Sequence, residues 1–140
     1  MKCVILCAGY STRLGDLTLN KSKPLLDIKG KPIVEYLIDK LNKINSIKEI
    51  FIVTNDKFYR NFNEWINSKK FDKKLNILND KTTNNENRIG GIGDLWFVIK
   101  EKNIDKDFLV LLGDNYLILI YLRLNYLTLY HNLHKVLHIS

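Results

Sequence analysis

The chain has 140 residues, of which 46% are hydrophobic and 26% are charged, and it contains seven Gly and two Pro. This is the composition of one ordinary globular domain, and it excludes collagen-like and intrinsically disordered chains. Cys3 and Cys7 fall in one predicted strand, so they lie about 13 Å apart at ~3.3 Å per residue, which is beyond disulfide reach. We therefore expect reduced, buried thiols and a cytoplasmic protein.

The apolar segments bear on membrane partners, and the net charge of +7 bears on nucleic-acid partners. No stretch reaches ~18 uninterrupted apolar residues, and the start lacks the pattern of a signal peptide, so we expect no membrane partner. The lysines are scattered, with acidic residues interleaved through Asp114, so we expect no nucleic-acid partner either. A nucleic-acid-binding module stays the weakest alternative, because it rests on charge alone. A mildly basic domain does attract phosphate-bearing small molecules.

Short apolar runs and helical spacings alternate along the chain. The runs at 3–8 and 49–54 are typical of strands buried on both faces of a parallel sheet. Segments with apolar residues at helical spacing lie between such runs. The predicted order is a strand over 3–8, a helix over 32–44, a strand over 49–54, a helix through 58–66, a strand over 75–78, a loop over 79–87, a helix from about 91, and a strand over 108–112.

This alternation predicts the fold class. Right-handed crossovers between strands favour a mostly parallel, helix-flanked sheet, so we expect a three-layer, Rossmann-like α/β fold. Residues 4–6, 50–53 and 108–112 should be parallel strands of that sheet. Ligands of such sheets bind beyond the carboxyl ends of the strands, where residues 9–13 and 113–115 lie.

Four ordered motifs then point to a family. Residues 6–14 read LCAGYSTRL, and KPLL follows at 23–26, ten residues after Arg13. Here the chain resembles the nucleotidyltransferases that activate sugar 1-phosphates, whose signature is close to L-A-A-G-x-G-T-R-L followed by K-P-L. The resemblance returns at 88–94 (RIGGIGD) and at 111–115 (LLGDN). It implies a fold of the nucleotide-diphospho-sugar transferase type and a nucleotide-binding half over 1–115.

The resemblance also implies an activity. A nucleoside monophosphate would pass from an NTP to a phosphomonoester such as a sugar 1-phosphate, with release of pyrophosphate, in nucleotide sugar biosynthesis. The expected partners are an NTP and a phosphorylated small molecule, the cofactor is Mg²⁺, and the oligomeric state stays open. The resemblance assigns catalysis to Arg13 and Lys23, the metal to Asp114, and nucleotide binding to Ala8, Gly9, Tyr10, Ser11, Thr12, Arg13 and Gly90.

Elementary electrostatics favours the same residues. An NTP carries about four negative charges, so its site needs close backbone N–H groups and side-chain cations. Gly9 permits close backbone approach, Arg13 can hold phosphate oxygens bidentately, and Lys23 supplies a compact charge. Asp114 directly follows a buried strand, where a carboxylate can bind Mg²⁺.

Each assignment has a simpler structural alternative. Gly9 can be a strand terminator, Arg13 and Lys23 can be solvated charges, and Asp114 can be a turn residue. We interpret Arg88 as a residue that braces its loop. Other nucleotide motifs are excluded, because no G-x-x-x-x-G-K-[ST] occurs and Trp96 stands where a dinucleotide fingerprint needs its third glycine.

Departures from the signature fall in and near the first motif. Ser11 stands where the pattern prefers Gly, and Asp16 and Ser22 stand where Pro is common. Serine lacks the backbone freedom of glycine, so Ser11 bears directly on the geometry of the loop that would hold the phosphates. The charged positions Arg13 and Lys23 are kept.

The segment 116–140 differs in composition, since it contains no Asp or Glu and is rich in Leu, Tyr and Ile. The family continues after Gly-Asp-Asn with an aromatic, then Asp or Asn, Phe and Asp. Restoring one T to one choice of codons for 117–122 gives Phe-Asn-Phe-Asp-Leu-Ser. We therefore hypothesise a shifted reading frame after about residue 116 and a truncated chain with little or no turnover.

The alternative is a genuine short protein with a binding or regulatory role instead of catalysis. In it, residues 117–122 would form a strand that completes the edge of the sheet. His131, His134 and His138 share one helical face, but no acidic or Cys partner accompanies them, so we expect no metal there.

Overall fold

The computed structural model describes residues 1–114 and the backbone of residues 119–122. Its strands and helices alternate in the predicted order, with two short strands and two 3₁₀ segments in addition. The elements are β1 (Lys2–Leu6), 3₁₀ segments at Thr12–Thr18 and Lys23–Leu25, β2 (Asp27–Ile28), β3 (Lys31–Pro32), α1 (Ile33–Asn42), β4 (Glu49–Thr54), α2 (Asp56–Asn67), β5 (Lys74–Asn79), α3 (Gly90–Glu101), β6 (Phe108–Leu112) and β7 (Leu119–Leu122).

A five-stranded sheet with the order β5-β4-β1-β6-β7 forms the centre of the molecule. β1 lies between β4 and β6 and is parallel to both, with Val4 opposite Phe51 on one side and Val110 on the other. β5 is parallel to β4, and β7 is antiparallel to β6. The predicted fold class and the three predicted parallel strands are confirmed.

Alternate residues of β1 enter two separate cores, because successive side chains of a strand point to opposite faces. Cys3 and Ile5 pack with Leu37 of α1 and Phe62 of α2. Val4 packs on the other face with Val98 of α3. Helices therefore cover both faces, and β1 reads as a continuous apolar run because water reaches neither side.

Both cysteines are buried and form no disulfide, as predicted. Burial raises the pKa of Cys3 to about 12. The pKa of Cys7 is raised as well, first by burial and then by the carboxylates of Asp114 and Asp94. Both thiols are therefore protonated, apolar fillers of the core at neutral pH.

The helices begin where local chemistry favours it. Asn55 caps α2, since its side-chain oxygen accepts a hydrogen bond of 3.0 Å from the backbone N–H of Phe58. α1 begins at Ile33, so the prediction of a helix over 32–44 was slightly wrong at both ends. Pro32 instead pairs with Asp27 across β2 and β3, which places it just before the helix.

The hairpin of β2 and β3 was not predicted, because strands of two residues have no detectable periodicity. Lys29 and Gly30 connect them with φ values of 51° and 80°. Positive φ at both central residues is what a tight hairpin turn of type I′ requires. The hydroxyl of Tyr36 on α1 donates a 2.6 Å hydrogen bond to the carbonyl of Ile28 and fixes the hairpin against the helix.

Part of the predicted tail lies within the described residues. β7 falls in the segment 117–122 that the short-protein alternative assigned to the sheet edge. The reading-frame hypothesis stays a prediction, and His131, His134 and His138 lie outside the described residues. In the part of the chain that the structure describes, no helix combines the length and apolar character that a membrane span requires.

Candidate functional site

A cavity of about 190 Å³ opens at the carboxyl ends of β1 and β6. The loop after β1, the start of α3 and the end of β6 surround it, as expected for a parallel sheet. Five of the predicted site residues line it, namely Ala8, Gly9, Ser11, Gly90 and Asp114. The other lining residues are Leu6, Cys7, Pro24, Arg88, Gly91, Asp94 and Leu112.

Two hydrogen bonds, one to β4 and one from the residue after it, anchor the loop after β1. The N–H of Cys7 donates to the carbonyl of Val53 at 2.8 Å, and the side chain of Asn55 donates to the carbonyl of Ala8 at 2.9 Å. A Cβ atom added to Gly9 would meet no atom within 4 Å. Gly9 therefore faces the open cavity, and its backbone is accessible to a ligand.

Ser11 adopts the left-handed conformation, with φ 50° and ψ 40°. This explains why the family signature prefers glycine at this position, since a side chain there costs about 1–2 kcal/mol. The carbonyl of Ser11 accepts hydrogen bonds from the N–H of Leu14 at 3.0 Å and from the hydroxyl of Thr18 at 2.9 Å. These bonds hold the turn despite the strain.

Tyr10 is buried and does not line the cavity. Its hydroxyl lies 3.3 Å from Oγ1 of Thr82, and its ring packs against Phe58 with 6.4 Å between centroids. Burial raises the pKa of Tyr10. The side chain of Tyr10 therefore anchors the loop.

Thr12 and Arg13 begin the 3₁₀ segment after the loop, and both are exposed. Neither lines the cavity. Arg13 forms no hydrogen bond or ion pair with another described residue. Its guanidinium is therefore available to a ligand, but the structure does not bring it to the cavity wall.

Lys23 and Asp114 meet at the edge of the cavity. Nζ of Lys23 lies 3.3 Å from Oδ2 of Asp114, and their side chains are 34% and 40% exposed. Pro24 and Leu25 are buried, so the turn that carries Lys23 is anchored while its ammonium group reaches water. An exposed ion pair of this kind contributes ~0–1 kcal/mol, so each partner can be exchanged at little cost.

Gly113 places Asp114, because no larger residue fits at this position. A Cβ atom on Gly113 would lie 2.2 Å from Sγ of Cys7, and the Gly113 N–H donates to the carbonyl of Leu6 at 2.9 Å. The carboxyl end of β6 therefore lies directly against the carboxyl end of β1. The glycine that precedes the aspartate in LLGDN is a packing requirement.

The start of α3 forms the opposite wall. Gly90 has φ 73°, and a Cβ atom on Gly93 would lie 2.8 Å from Cβ of Ile89. The glycines of this motif therefore permit the entry turn and the first helical turn. Arg88 donates a hydrogen bond to Asn85, so the predicted loop brace is confirmed, but Arg88 also lines the cavity.

Asp94 received no role from the sequence, although the motif at 88–94 includes it. It is 5% exposed, lines the cavity, and has an Oδ1 atom without a hydrogen-bond partner among the described residues. Burial, followed by its hydrogen bond with Asp80, raises the pKa of Asp94 to about 8. The sequence signal that could have identified Asp94 is its position directly before Leu95 and Trp96 in an otherwise apolar helix.

The acidic groups limit how a metal ion could bind. Among residues 1–114 and 119–122, no group of three or more His, Cys, Asp or Glu is arranged to hold a metal ion. Mg²⁺ commonly uses one or two carboxylates together with substrate phosphates and water. The exposed Asp114 therefore fits a Mg²⁺ ion that arrives with a nucleotide.

Comparison with known proteins identifies the family. The family model described as nucleotidyl transferase matches residues 2–132. The chain belongs to this family. It is 36% identical over 118 residues to the bifunctional protein GlmU of Methanococcus maripaludis, a match that covers 81% of the chain and 25% of GlmU. It is 30% identical over 115 residues to the UTP--glucose-1-phosphate uridylyltransferase AglF of Haloferax volcanii, covering 82% of the chain and 44% of AglF.

Solved structures show the same fold. HddC from Yersinia pseudotuberculosis, complexed with GMP-PN, superposes with a TM-score of 0.62 at 24% identity and covers 81% of the chain and 47% of HddC. The chain thus spans about a quarter of the length of GlmU and under half of AglF and HddC. The recognised family and fold are confirmed.

Proposed function

We propose that the cavity binds an NTP, and that the protein transfers the nucleoside monophosphate to a phosphomonoester, specifically a sugar 1-phosphate, with release of pyrophosphate. The observation that carries this proposal is the exposed ion pair of Lys23 and Asp114 beside the open backbone of Gly9. A cation, a carboxylate and accessible N–H groups at one cavity edge are what a metal-bound triphosphate requires.

The ion pair would exchange partners when nucleotide binds. The triphosphate offers Lys23 a more highly charged partner than the single carboxylate of Asp114, and charge-assisted hydrogen bonds to phosphate are short and strong. Asp114 is then released and would hold the Mg²⁺ ion. Bound Mg²⁺ supplies charge neutralisation at the triphosphate and assists departure of pyrophosphate.

The remaining residues would orient the nucleotide. The loop around Gly9 would offer backbone N–H donors to the phosphates, and Gly90 would offer a surface without a side chain to the nucleobase. Arg13, exposed beside the loop, would approach the phosphates from outside the cavity. Because phosphoryl-transfer catalysis depends mainly on positioning and electrostatics, no covalent intermediate is required.

The names of two similar proteins support the substrate class. AglF is named for UTP and glucose 1-phosphate, and the HddC structure is complexed with GMP-PN. The nucleotides of these two proteins differ, so the nucleobase and the sugar are both open for this chain.

Two measurements test the proposal. Calorimetric titration of ATP, CTP, GTP and UTP with Mg²⁺ measures binding, and a pyrophosphate-release assay with several sugar 1-phosphates measures transfer. We expect one NTP to bind more tightly than the others, and any pyrophosphate release to disappear in Asp114→Asn. Absence of binding by every NTP would contradict the proposal.

A second candidate function is nucleotide binding without transfer. Within the described part of the chain, two acidic residues line the cavity. Asp94 is buried and only Asp114 is exposed. Tight NTP binding without pyrophosphate release from any sugar 1-phosphate would favour this candidate.

A further inference from the structure

Arg88 is the one cationic residue that lines the cavity within the part of the chain that the structure describes. It is exposed and lies two residues before Gly90. Its Nη1 atom donates a hydrogen bond to Oδ1 of Asn85. A guanidinium group has five N–H donors, so most donors of Arg88 have no partner among the described residues. Arg88 therefore braces its loop with one donor and can offer the others to a ligand.

The loop that carries Arg88 is held by its own asparagine side chains. Oδ1 of Asn87 accepts hydrogen bonds from the backbone N–H groups of Thr83 at 3.0 Å and Asn84 at 3.1 Å. Oδ1 of Asn84 accepts from the N–H groups of Glu86 at 2.9 Å and Asn87 at 3.0 Å. These bonds fix the backbone just before Arg88, so its side chain starts from a defined position beside α3.

The first turn of α3 presents an open face next to Arg88. Asp94 follows Gly90 by four residues and Gly91 by three, so the three residues share one face of the helix, and all three line the cavity. A Cβ atom on Gly90 would meet no atom within 4 Å. Helical side chains tilt towards the N-terminus, so Asp94 lies under the turn that the two glycines leave uncovered. This face has room for a flat group above a carboxyl group.

Asp94 contributes an unsatisfied acceptor to this face. It is 5% exposed, and its Oδ1 atom has no hydrogen-bond partner among the described residues. A buried polar atom without a partner costs free energy, which an N–H group of a ligand would recover. Because Asp94 is fixed in the wall, the ligand must bring this N–H group to it. A carboxyl group keeps an acceptor oxygen whether it is neutral or ionised, so this match holds in both states.

The two side chains together decide which nucleobase edge fits. Guanine and uracil carry a carbonyl oxygen beside a ring N–H group, whereas adenine and cytosine carry an amino group beside a ring nitrogen without a proton. Arg88 can donate but cannot accept, so it matches a carbonyl oxygen. An amino group at the same place would set donor against donor and leave both without a partner.

We propose that Arg88 is a specificity-determining residue that donates to the carbonyl oxygen of a nucleobase lying on Gly90, while Asp94 accepts the neighbouring ring N–H group, so that the cavity selects guanine or uracil over adenine and cytosine. Arg88 keeps Asn85 as its brace and donates through its remaining N–H groups. The proposal rests on the proposed function, because it assumes an NTP whose base lies against Gly90.

Two matched pairs of nucleotides isolate this edge. Inosine triphosphate (ITP) and ATP are purine nucleotides that differ in having the carbonyl edge or the amino edge, and UTP and CTP are the corresponding pyrimidine nucleotides. Calorimetric titration with Mg²⁺ measures each Kd. In each pair that binds, the Kd of the carbonyl member should be lower by about tenfold or more, because one matched contact at a base edge discriminates by about this factor. Ring size is equal within a pair, so the shape of the base does not contribute.

Substitutions at Arg88 separate recognition of the base from binding of the phosphates. Arg88→Met keeps a long side chain but removes every donor, so the ratio of Kd values within each pair should fall to near one. Arg88→Gln offers an amide that can either donate or accept, so this variant should also lose the preference. Arg60→Met is the matched control, because Arg60 is exposed on α2 and does not line the cavity. Its Kd ratios should equal those of the wild type.

Substitutions at Asp94 test the second contact. Asp94→Ala removes the acceptor and should raise the Kd for ITP about tenfold. Asp94→Asn keeps an oxygen that can accept the ring N–H group, so it should retain most of the affinity. Urea unfolding of both variants verifies that they are folded, since Asp94 is buried. An unchanged Kd for ITP in folded Asp94→Ala would overturn this contact.

The outcomes separate this proposal from the proposed function. A preference for ITP and UTP that disappears in Arg88→Met and persists in Arg60→Met would support the proposal. Equal Kd values within each pair, tighter binding of ATP and CTP, or a preference that survives in Arg88→Met would overturn it and leave the proposed function standing. An equal loss of affinity for all four nucleotides in Arg88→Met would place the guanidinium at the phosphates and overturn it as well. Absence of binding by all four nucleotides would overturn the proposed function together with this proposal.

Discussion

The two sides of the cavity hold carboxyl groups in different environments, one exposed to water and one buried. On one side Lys23 and Asp114 form an ion pair, which we call the charged rim, and both side chains are about one third or more exposed. On the other side Asp94 is 5% exposed, and burial raises its pKa to about 8. A glycine precedes each of these two carboxyl groups, Gly113 before Asp114 and Gly93 before Asp94.

Solvent decides what each carboxyl group can do. Water screens the charged rim, so its ion pair is weak and its partners can turn to a ligand. Asp94 has little access to water, so its ionised form is poorly solvated and it cannot readily turn to a ligand. We infer that exposed charges at this cavity serve the ligand, whereas buried polar groups belong to the wall. The following variants test that division.

The largest expected effect comes from Gly113→Ala at the base of the charged rim. The new Cβ atom would lie 2.2 Å from Sγ of Cys7, and the carbonyl of Leu6 at 3.2 Å leaves little room to move. Overpacking of this severity should lower the free energy of unfolding by about 3 kcal/mol. Urea denaturation of the variant and the wild type measures the difference.

A double variant serves as the control for this clash. Adding Cys7→Ala removes the Sγ atom, so the double variant should be more stable than Gly113→Ala alone. A Gly113→Ala chain with wild-type stability would show that the ends of β1 and β6 are less tightly packed than the structure indicates.

Gly9→Leu should weaken NTP binding and leave stability nearly unchanged, whereas Gly113→Ala acts on stability. A side chain at Gly9 meets no atom within 4 Å, and the backbone there lies outside the left-handed region, so stability should change by less than about 0.5 kcal/mol. The side chain would fill the cavity and block the backbone N–H groups, which should weaken NTP binding by about 100-fold or more. Calorimetry measures this affinity, and Gly9→Ala, with a smaller side chain, should give an intermediate value.

Replacement of the cations tests whether exposed charge serves the ligand. Arg13→Ala and Lys23→Ala should each weaken NTP binding by about 10- to 100-fold, because a charge-assisted hydrogen bond contributes ~1.5–3 kcal/mol. Lys48→Ala is the matched control, since Lys48 is exposed at the amino end of the sheet, away from the cavity. Equal affinities for Arg13→Ala and Lys48→Ala would remove Arg13 from the site, which is a real alternative because Arg13 does not line the cavity.

The main strands and helices could be predicted from the sequence because their burial leaves a recognisable pattern of apolar residues. The runs at 49–54 and 108–112 match β4 and β6 because these strands are buried on both faces. The hairpin of β2 and β3 could not be predicted, since it depends on the φ angles of two turn residues and on one hydrogen bond from Tyr36. Residue periodicity carries no information about either.

The candidate site, like the fold, could be predicted from the sequence only in part. The signature residues Gly9, Gly90 and Asp114 line the cavity, whereas Arg13 of the same signature does not. The burial of Asp94 was missed, since it appears only when α3 packs on β1 and β4. The buried position of Tyr10 was missed as well, since it depends on contacts with Thr82 and Phe58, which are distant in the sequence.

The smallest expected effect concerns the strained turn before the 3₁₀ segment. Ser11 occupies the left-handed region, where a non-glycine residue costs about 1–2 kcal/mol. Ser11→Gly removes this cost but adds ~0.4–1 kcal/mol of conformational entropy to the unfolded chain, so we expect a net stabilisation of about 0.5–1 kcal/mol. Thermal unfolding should show a small rise in Tm, and NTP affinity should stay within about twofold of wild type, because the backbone already has the conformation that glycine favours. A loss of stability would mean that the hydroxyl of Ser11 contributes more than the strain costs. Ser11→Ala, which keeps the strain but removes the hydroxyl, distinguishes the two contributions.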